Sequence, residues 1–530
     1  MNPTTDATRT EDLVTTIAER MATLTRTLCS WMQEQEHSLA ELEQYVLGLL
    51  KELGASLVAG LCPLAASSQP SRSIACSCGQ QALYQRQRKA QVTTLFGPLS
   101  FWRSYYLCAE CGVGQHPLDA QLQCCAGSRS QALDELLALL GATQDSFVQA
   151  AQVLERLTLV HVSATSVRQA TEQLGAVLLE HPAEPHVEPN ARPPQPASAK
   201  ASRLYISMDG VMAHLHQRGW SEIKVGCCYQ TRTRPERKRP ERLEIRAEHT
   251  SYVSALEEAR EFGWQLWQEA VRRGALEADE VVVVGDGAHW IWNLAETHFP
   301  HATQIVDWYH ASEYVWTAAR AIWGEASAER VEWAHAQLDK LWEGKVEQVR
   351  DELVRWRESD QAVEAAVSYY TTHQSRMEYA SYRARGLQIG SGSVESACKQ
   401  VVTARLKQAG MIWNADGAEA VAVVRAWLKS ERWEEAIRLR GVRRRGYRRK
   451  QAEHVAQASE REGQSEQQVG EPVELTLKAQ QQEKSAQVLL QVQAELAEQR
   501  GKNGWGKAWS VTRQREMAAQ RAQSTPVSTA

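Results

Sequence analysis

No run in this 530-residue sequence reaches the ~18 consecutive apolar residues of a membrane span, so no membrane role is expected. The opening residues are polar and amphipathic, without a signal-peptide pattern. Eleven cysteines are too sparse for a secreted disulfide scaffold. Net charge is only −4, so the chain as a whole announces no polyanion partner. Neither glycine-rich nucleotide-binding fingerprint is present. What remains is a cytoplasmic protein, long enough for two to four domains, with the 43% hydrophobic content of one that builds real cores.

Charge is uneven where the total is not. Residues 380–450 hold 16 Lys+Arg against 6 Asp+Glu. Such a local excess suits a polyanion partner, although a solvated helical face produces the same count. Leu39, Leu42, Val46, Leu49 and Leu50 recur at helical spacing, making residues 1–62 an N-terminal helical segment, either a core helix or a dimerising one. A Ser/Pro-rich stretch follows at 63–73. Six prolines between Pro182 and Pro196 mark 181–199 as an inter-domain linker. The chain from 441 to 530 is basic, then Gln-rich, and reads as a partly disordered tail.

Residues 74–125 carry two cysteine pairs, Cys76/Cys78 and Cys108/Cys111, each followed by Gly. Strands expected at 91–95 and 100–106 separate them. Two knuckles joined by a hairpin give four thiolates for one tetrahedral zinc, a zinc-ribbon-like module; reduced, buried cysteines are the alternative. Residues 130–180 are helical. Helices over 146–159 and 165–179 flank a turn at 161–164, with Val162 and Val167 as core anchors and Ser163 as N-cap. That pattern fits a helix-turn-helix whose second helix brings Thr165, Ser166, Arg168 and Gln169 to DNA, and equally an ordinary αα-hairpin.

From 202 the pattern becomes α/β. Strands are expected at 203–208, 222–229, 242–247, 281–284 and 304–306, the second and third joined by a basic hairpin, with helices at 252–273 and 291–299. Asp209 and Asp286 each follow an apolar strand and precede Gly, and the ends of strands are where α/β sheets gather their sites. Two carboxylates so placed repel unless a cation lies between them, and Mg²⁺ prefers oxygen ligands. A turn-forming or capping Asp is the plainer reading of either residue alone. The Gly/Ser loop 390–393 opens a helix bearing Glu395, Lys399, Arg405 and Lys407, a carboxylate followed by cations that suit DNA phosphate. Asp307 ends a further strand, with His310 three residues on. Residues from about 311 to 380 are helical and rich in Trp, expected to pack a small core of their own.

With these motifs in order, the chain resembles bacterial insertion-sequence transposases of the Kra type, DDE enzymes allied to Mutator-like elements. The resemblance rests on Met208-Asp209-Gly210, Gly285-Asp286-Gly287 through Trp290, and Asp307-Trp308-Tyr309-His310. It extends to Ile389 through Lys399 and Arg405 through Met411, and covers about 75–440. It implies an RNase H-like catalytic core over 200–440 with an all-helical insertion, preceded by zinc-ribbon-like and helix-turn-helix modules. It implies Asp209, Asp286 and Glu395 as ligands of two Mg²⁺ ions, with Mn²⁺ able to substitute, and Asp307 and His310 as an accessory motif. The implied reaction is cleavage at terminal inverted repeats, then strand transfer into target DNA. A homo-oligomer is expected, because joining needs two ends held together. The family commonly opens its cysteine module with a wider first pair, so Cys62, Cys124, Cys125 and His116 stand as alternatives to Cys76. Arg443, Arg444 and Arg445 are expected on phosphate, although this ending departs from the family's more aromatic one. A structure-selective nuclease without strand transfer and a non-catalytic DNA-binding regulator are the alternatives. Glycoside hydrolysis by paired carboxylates explains neither the basic segment nor the cysteines.

Overall fold

The computed structural model describes residues 3–64, 70–124, 127–180, 202–237, 243–256 and 258–441. The proline-rich linker 181–199, Cys125, Arg443, Arg444, Arg445 and the tail beyond Gly441 lie outside them.

Two helices open the chain, α1 (Pro3–Glu34) and α2 (Leu39–Leu64). Ser38 and Glu41 form a capping box that starts α2: the Ser38 amide donates to Glu41 Oε2 at 2.8 Å and the Glu41 amide to Ser38 Oγ at 3.3 Å. No unbroken apolar run was expected to span a membrane. Over Leu39–Cys62, however, mean hydropathy is 1.5, and among the described residues this is the one helix long and apolar enough by composition to cross one. Glu41, Glu43, Lys51 and Glu52 interrupt it. Lys51 Nζ donates to the Leu159 carbonyl, and a Cβ at Gly54 would lie 2.4 Å from the Phe96 ring, so α2 packs protein on at least one face.

A four-stranded antiparallel sheet follows, in the order β1 (Ser73–Ala75), β2 (Gln81–Thr94), β3 (Gly97–Cys108), β4 (Gly114–Gln115). Strands β2 and β3 are far longer than the expected 91–95 and 100–106. Polar residues such as Gln87 and Lys89 continue the ladder on its exposed side, where hydrophobic pattern is silent. A short helix, α3 (Pro117–Gln121), closes this unit.

Helices α4 (Gln131–Thr143), α5 (Phe147–Thr158) and α6 (Ala164–Leu179) form the expected helical module. Leu159 adopts a left-handed conformation, and the Ser163 hydroxyl accepts from the Ser166 amide at 3.1 Å, which starts α6. Val162 and Val167 are buried in the turn as expected. The module is not separate from the downstream domain. Ala138, Ala142, Leu174 and Leu178 share a core with Val423, Val424 and Ala436. Arg440 also pairs with buried Asp134 at 2.9 Å. Helices α6 and α16 (Ala415–Lys429) touch at Gly175, where a Cβ would lie 2.6 Å from Ala420 Cα and carbonyl oxygen. Gly175→Ala is expected to destabilise by about 2 kcal/mol, despite a helix-propensity gain of ~1 kcal/mol, as read by chemical denaturation.

The second sheet has the order β7-β6-β5-β8-β9. Strands β5 (Arg203–Leu215), β6 (Gly219–Pro235) and β7 (Leu243–Ala255) are antiparallel neighbours. After α7 (Ala259–Arg272), β8 (Glu280–Gly285) joins β5 in parallel; after α8 (His289–His298), β9 (Thr303–Val306) joins β8 in parallel. Two expectations are corrected here. Strand β5 does not end at Asp209 but runs on to Leu215, because β6 pairs with it throughout. The helix expected from Tyr252 begins at Ala259, because β7 stays paired with β6 up to Ala255.

Helices α9 (Trp308–Trp323), α10 (Ala328–Trp342), α11 (Val346–Val354), α12 (Gln361–His373) and α13 (Tyr379–Ala384) form the insertion. A separate core was expected for it, and this too is corrected: one continuous cluster joins Val315, Leu341, Val363 and Tyr370 to the sheet residues Ile206, Val283 and Ile305. The tyrosine hydroxyls make the seam. Tyr379 donates to Val306 O at 3.0 Å and Tyr382 to Gln304 O at 3.2 Å. The chain then forms α14 (Gly392–Cys398), a π-helical turn over Lys399–Thr403, α15 (Ala404–Leu406) and α16.

Candidate active site and metal centre

Strand register brings the three aspartates level. Ser207 pairs with Val284 across β5 and β8, so two residues on Asp209 and Asp286 stand side by side. Gly285 pairs with Val306 across β8 and β9, so Asp286 and Asp307 are likewise neighbours. Alternate residues of a strand share a face, so Asp209 projects with Ser207, opposite Met208. Leu266 and Phe262 of α7 cover Gly226, which pairs with Met208 on that opposite face. Helix α14 covers the Asp209 face, where the Cys398 thiol donates to Asp209 Oδ2 at 3.7 Å.

Asp209 and Asp286 are half-buried, and the Asp209 carboxyl is raised above its usual value. Burial is the main cause and the charge of Asp286 adds to it, while the Gly210 amide, at 2.7 Å from Oδ1, opposes both. Such a pair is what a cation relieves. Asp286 receives the Ala288 amide on Oδ1 at 2.9 Å.

Asp307 is different. It is fully buried and both its oxygens are engaged. Oδ1 accepts from the His310 amide at 2.8 Å and lies 3.2 Å from His310 Nδ1; Oδ2 accepts from the Ser391 amide. Burial alone would raise its carboxyl, but the His310 and Ser391 contacts outweigh that and lower it. His310 in turn is held up to about 9, first by its hydrogen bond to Asp307 and against the effect of burial. Asp307 therefore caps α9 and ties it to the 390–391 loop.

Glu395 is exposed on the first turn of α14, with the Ser391 hydroxyl donating to Oε1 at 3.4 Å. It lies three residues before Cys398, on the helix face that meets Asp209. Lys399 and Lys407 are exposed beyond it. Arg405 is not, and its expected place on a basic surface is corrected. It is only 1% exposed, with Nε donating to Gly141 O at 3.0 Å and the guanidinium set against the Phe147 and Trp413 rings. It follows the π-helical turn and packs inward against α4 and α5. Arg168 and Gln169 are exposed on α6, Arg168 facing Glu172 at 3.6 Å.

Sequence reasoning missed two supports. One is Cys398, legible in hindsight from its helical spacing to Glu395. The other is Tyr369, which donates to the Asp286 carbonyl at 2.8 Å from 83 positions away and has no sequence signal. Its ring also closes over Gly287, whose φ is +113° and whose Cβ would lie 2.6 Å from Tyr369 Cε2. Gly287→Ala is expected to cost about 2–4 kcal/mol, because side chains avoid that conformation and the ring occupies the space. Thermal or chemical unfolding reads it.

The family model for UPF0236, an uncharacterised protein family, matches residues 33–440. The chain belongs to UPF0236. No curated protein matches it. The UPF0236 match takes in all the acidic positions and the four cysteines, and ends before Arg443.

In this UPF0236 protein the cysteines converge. Cys76 and Cys78 lie between β1 and β2, and Cys108 and Cys111 between the end of β3 and the start of β4. Cys76 and Cys111 sulfurs are 3.5 Å apart and those of Cys78 and Cys108 3.7 Å. Tetrahedral Zn–S bonds of ~2.3 Å place sulfurs about 3.8 Å apart, so the cluster can hold a metal ion such as zinc. Burial pushes the Cys76 thiol up, but the Cys78 amide and the neighbouring sulfurs outweigh it and bring it down to about 7. Burial and the neighbouring sulfurs push Cys111 up to about 12. Cys76 is thus a full member of the set. His116 instead faces Ser104 O at 3.1 Å, and Cys62 packs beside Cys124 in another cluster. Among the described residues these cysteines are the one group of three or more such ligand atoms within 4.8 Å of one another; the Asp209, Asp286 and Glu395 oxygens are not drawn that close.

Proposed function

We propose that this chain is a DDE transposase of an insertion sequence, a polynucleotidyl transferase that binds terminal repeats, cuts them and joins them to target DNA. The observation that carries this reading is the register that sets Asp209 and Asp286 side by side under the helix bearing Glu395. Three antiparallel strands followed by two parallel ones, in the order β7-β6-β5-β8-β9, support an RNase H-like core. The donor set is all oxygen and already strained by its own charge, which suits Mg²⁺ or Mn²⁺. Two such ions on Asp209, Asp286 and Glu395 would activate the attacking oxygen and stabilise the leaving oxygen of a phosphodiester.

The chain's own groups do the positioning. Asp307 fixes the Gly/Ser loop from which α14 starts, and so the approach of Glu395. Lys399 and Lys407 meet backbone phosphate. The exposed N-terminal half of α6, with Arg168 and Gln169, reads the repeat. Structural zinc on Cys76, Cys78, Cys108 and Cys111 holds the β-sheet module.

The deciding experiment incubates the full chain with element-end DNA, target plasmid and Mg²⁺ or Mn²⁺. Joined products are expected, and none with Asp209→Asn. Cleavage without joining of supplied 3′-hydroxyl ends would make it a nuclease, and activity surviving Asp209→Asn would sink the carboxylate assignment. Arg168→Ala is expected to weaken terminal-repeat binding ~10-fold and random DNA far less, as the loss of one base contact predicts. Equal loss on both would remove α6 from base readout.

A further inference from the structure

Helices α1 and α2 form an antiparallel hairpin with too little core of its own. Leu13 packs on α2 at Gly60, where any Cβ would collide with Leu13 Cδ1, and the Trp31 ring stacks on Tyr45 with centroids 4.4 Å apart. Ile17, Leu24 and Leu28 carry that seam along α1 at helical spacing, and all five α1 residues are only half-buried. Of the side chains described between Thr10 and Leu64, none is fully buried. Yet mean hydropathy over Leu39–Cys62 is 1.5. Helices in proteins owe most of their stability to packing of an apolar face, and one shared seam between two helices offsets little of the cost of ordering them.

Each helix also carries a second apolar stripe, and this one lies in solvent. On α1 Val14, Met21 and Met32 are exposed, with Ala18 and Cys29 at the same helical phase; on α2 Leu39, Leu50 and Leu61 are exposed. At about 100° per residue, each stripe stands roughly a quarter-turn beyond the seam of its own helix. Because the helices run antiparallel, the two rotations lead to the same side of the hairpin. The stripes therefore make one two-helix face, about 35 Å long and about 20 Å wide, on the order of 700 Å². That is close to the ~800 Å² each partner gives to a standard interface, and larger than the scatter of single apolar residues on an ordinary surface.

The charges around the face select what covers it. Residues 3–64 hold four Lys+Arg against nine Asp+Glu, which repels DNA and an anionic bilayer surface alike. Lys51 and Glu52 stand at the midpoint of α2, where a bilayer core tolerates charge least, and Lys51 already donates to the Leu159 carbonyl of the folded chain. A second copy offers the same stripes at the same spacing, and two such hairpins laid face to face make a four-helix bundle. We propose that this face of α1 and α2 pairs with the same face of a second copy of the chain, closing a four-helix bundle around a two-fold axis. The half-buried seam from Leu13 to Trp31 then lies inside a core. The pairing is independent of the reaction proposed above; under strand transfer it brings two carboxylate sites into one assembly.

The test measures the mass of the full chain by light scattering over a dilution series, without DNA. Two chains per particle are expected. Met21→Glu combined with Leu50→Glu replaces side chains that are 57% and 56% exposed, so the single chain keeps its fold, which circular dichroism checks. The double substitution should weaken association at least ~100-fold, because it forces carboxylates into an apolar interface. Alkylation of exposed Cys29, read on its peptide, is the second measurement. It should run at least ~10-fold faster in the double variant than in the unmodified chain, following the fraction left unpaired. A single-chain mass throughout the series overturns the proposal: Cys29 protected would mean that another part of the same chain covers the face, and Cys29 reactive that nothing does. A dimer that persists in the folded double variant overturns it by placing the interface elsewhere. Flotation of the unmodified chain with phosphatidylcholine vesicles, lost in the double variant, would give the face to lipid and overturn it too. None of these readouts involves DNA cleavage, so the result stands apart from that of the strand-joining assay.

Discussion

Asp286→Asn is expected to reduce metal-dependent strand cleavage on the order of 10³-fold while leaving the fold intact, and Asp307→Asn to do the reverse first. The two residues stand level at the ends of adjacent strands, so position alone does not separate them. Their oxygens do. Asp286 is half-buried, and its Oδ1 accepts the Ala288 amide while its backbone carbonyl is held by Tyr369. Asparagine keeps that acceptor and changes only the charge a cation would need. Asp307 is fully buried with an amide on each oxygen and His310 beside it. Asparagine there would turn an NH₂ toward the amide of His310 or of Ser391, donor against donor, and leave His310 without its counter-charge. The expected cost is about 2–4 kcal/mol of stability. Paired denaturation curves and cleavage rates check both. A fully stable but inactive Asp307→Asn protein would move the metal ligand from β8 to β9.

How much of this was legible depended on whether a feature was written locally. The order of strands and helices from 203 to 306 follows from apolar runs and the Gly-Asp-Gly punctuation, and Asp209, Asp286 and Asp307 could be named from it. The lengths of β5, β6 and β7 could not. Their outer halves carry residues such as Arg232, Arg234 and Arg246, whose ladder partners lie on the neighbouring strand. The helical insertion could be seen, but not that Tyr369, Tyr379 and Tyr382 fuse it to the sheet through hydroxyl-to-carbonyl bonds spanning 73 to 83 positions. Arg405 failed for a different reason. It shares a helix with Lys399 and Lys407, but the groups that bury it, Gly141 and Phe147, lie more than 250 positions away. The α4–α6 module looked separable because the linker at 181–199 is so plain in sequence. Its shared core with Val423 and Val424 depends on residues some 250 positions away.

Removing the metal from the cysteine cluster should have the largest structural effect in the amino-terminal half. The four-stranded sheet is thin: β1 has three residues and β4 two, and the knuckles between strands are held by turns at Gly79 and Gly112 with φ of +88° and +66°. Four sulfurs with no disulfide between them would otherwise crowd together at one end of the β2–β3 hairpin. Structural zinc is worth on the order of 10 kcal/mol in domains of this size, more than the hairpin alone can supply. Purified protein is therefore expected to carry one zinc per chain. Cys108→Ser, at a fully buried sulfur, should lose that zinc and open residues 70–124 to proteolysis or amide exchange. The domain built on the five-stranded sheet should keep its own unfolding transition, because its core cluster contains no residue of the cysteine sheet. Metal-free protein that protects 70–124 as well as the zinc-loaded form would show that the cysteines are packing residues instead.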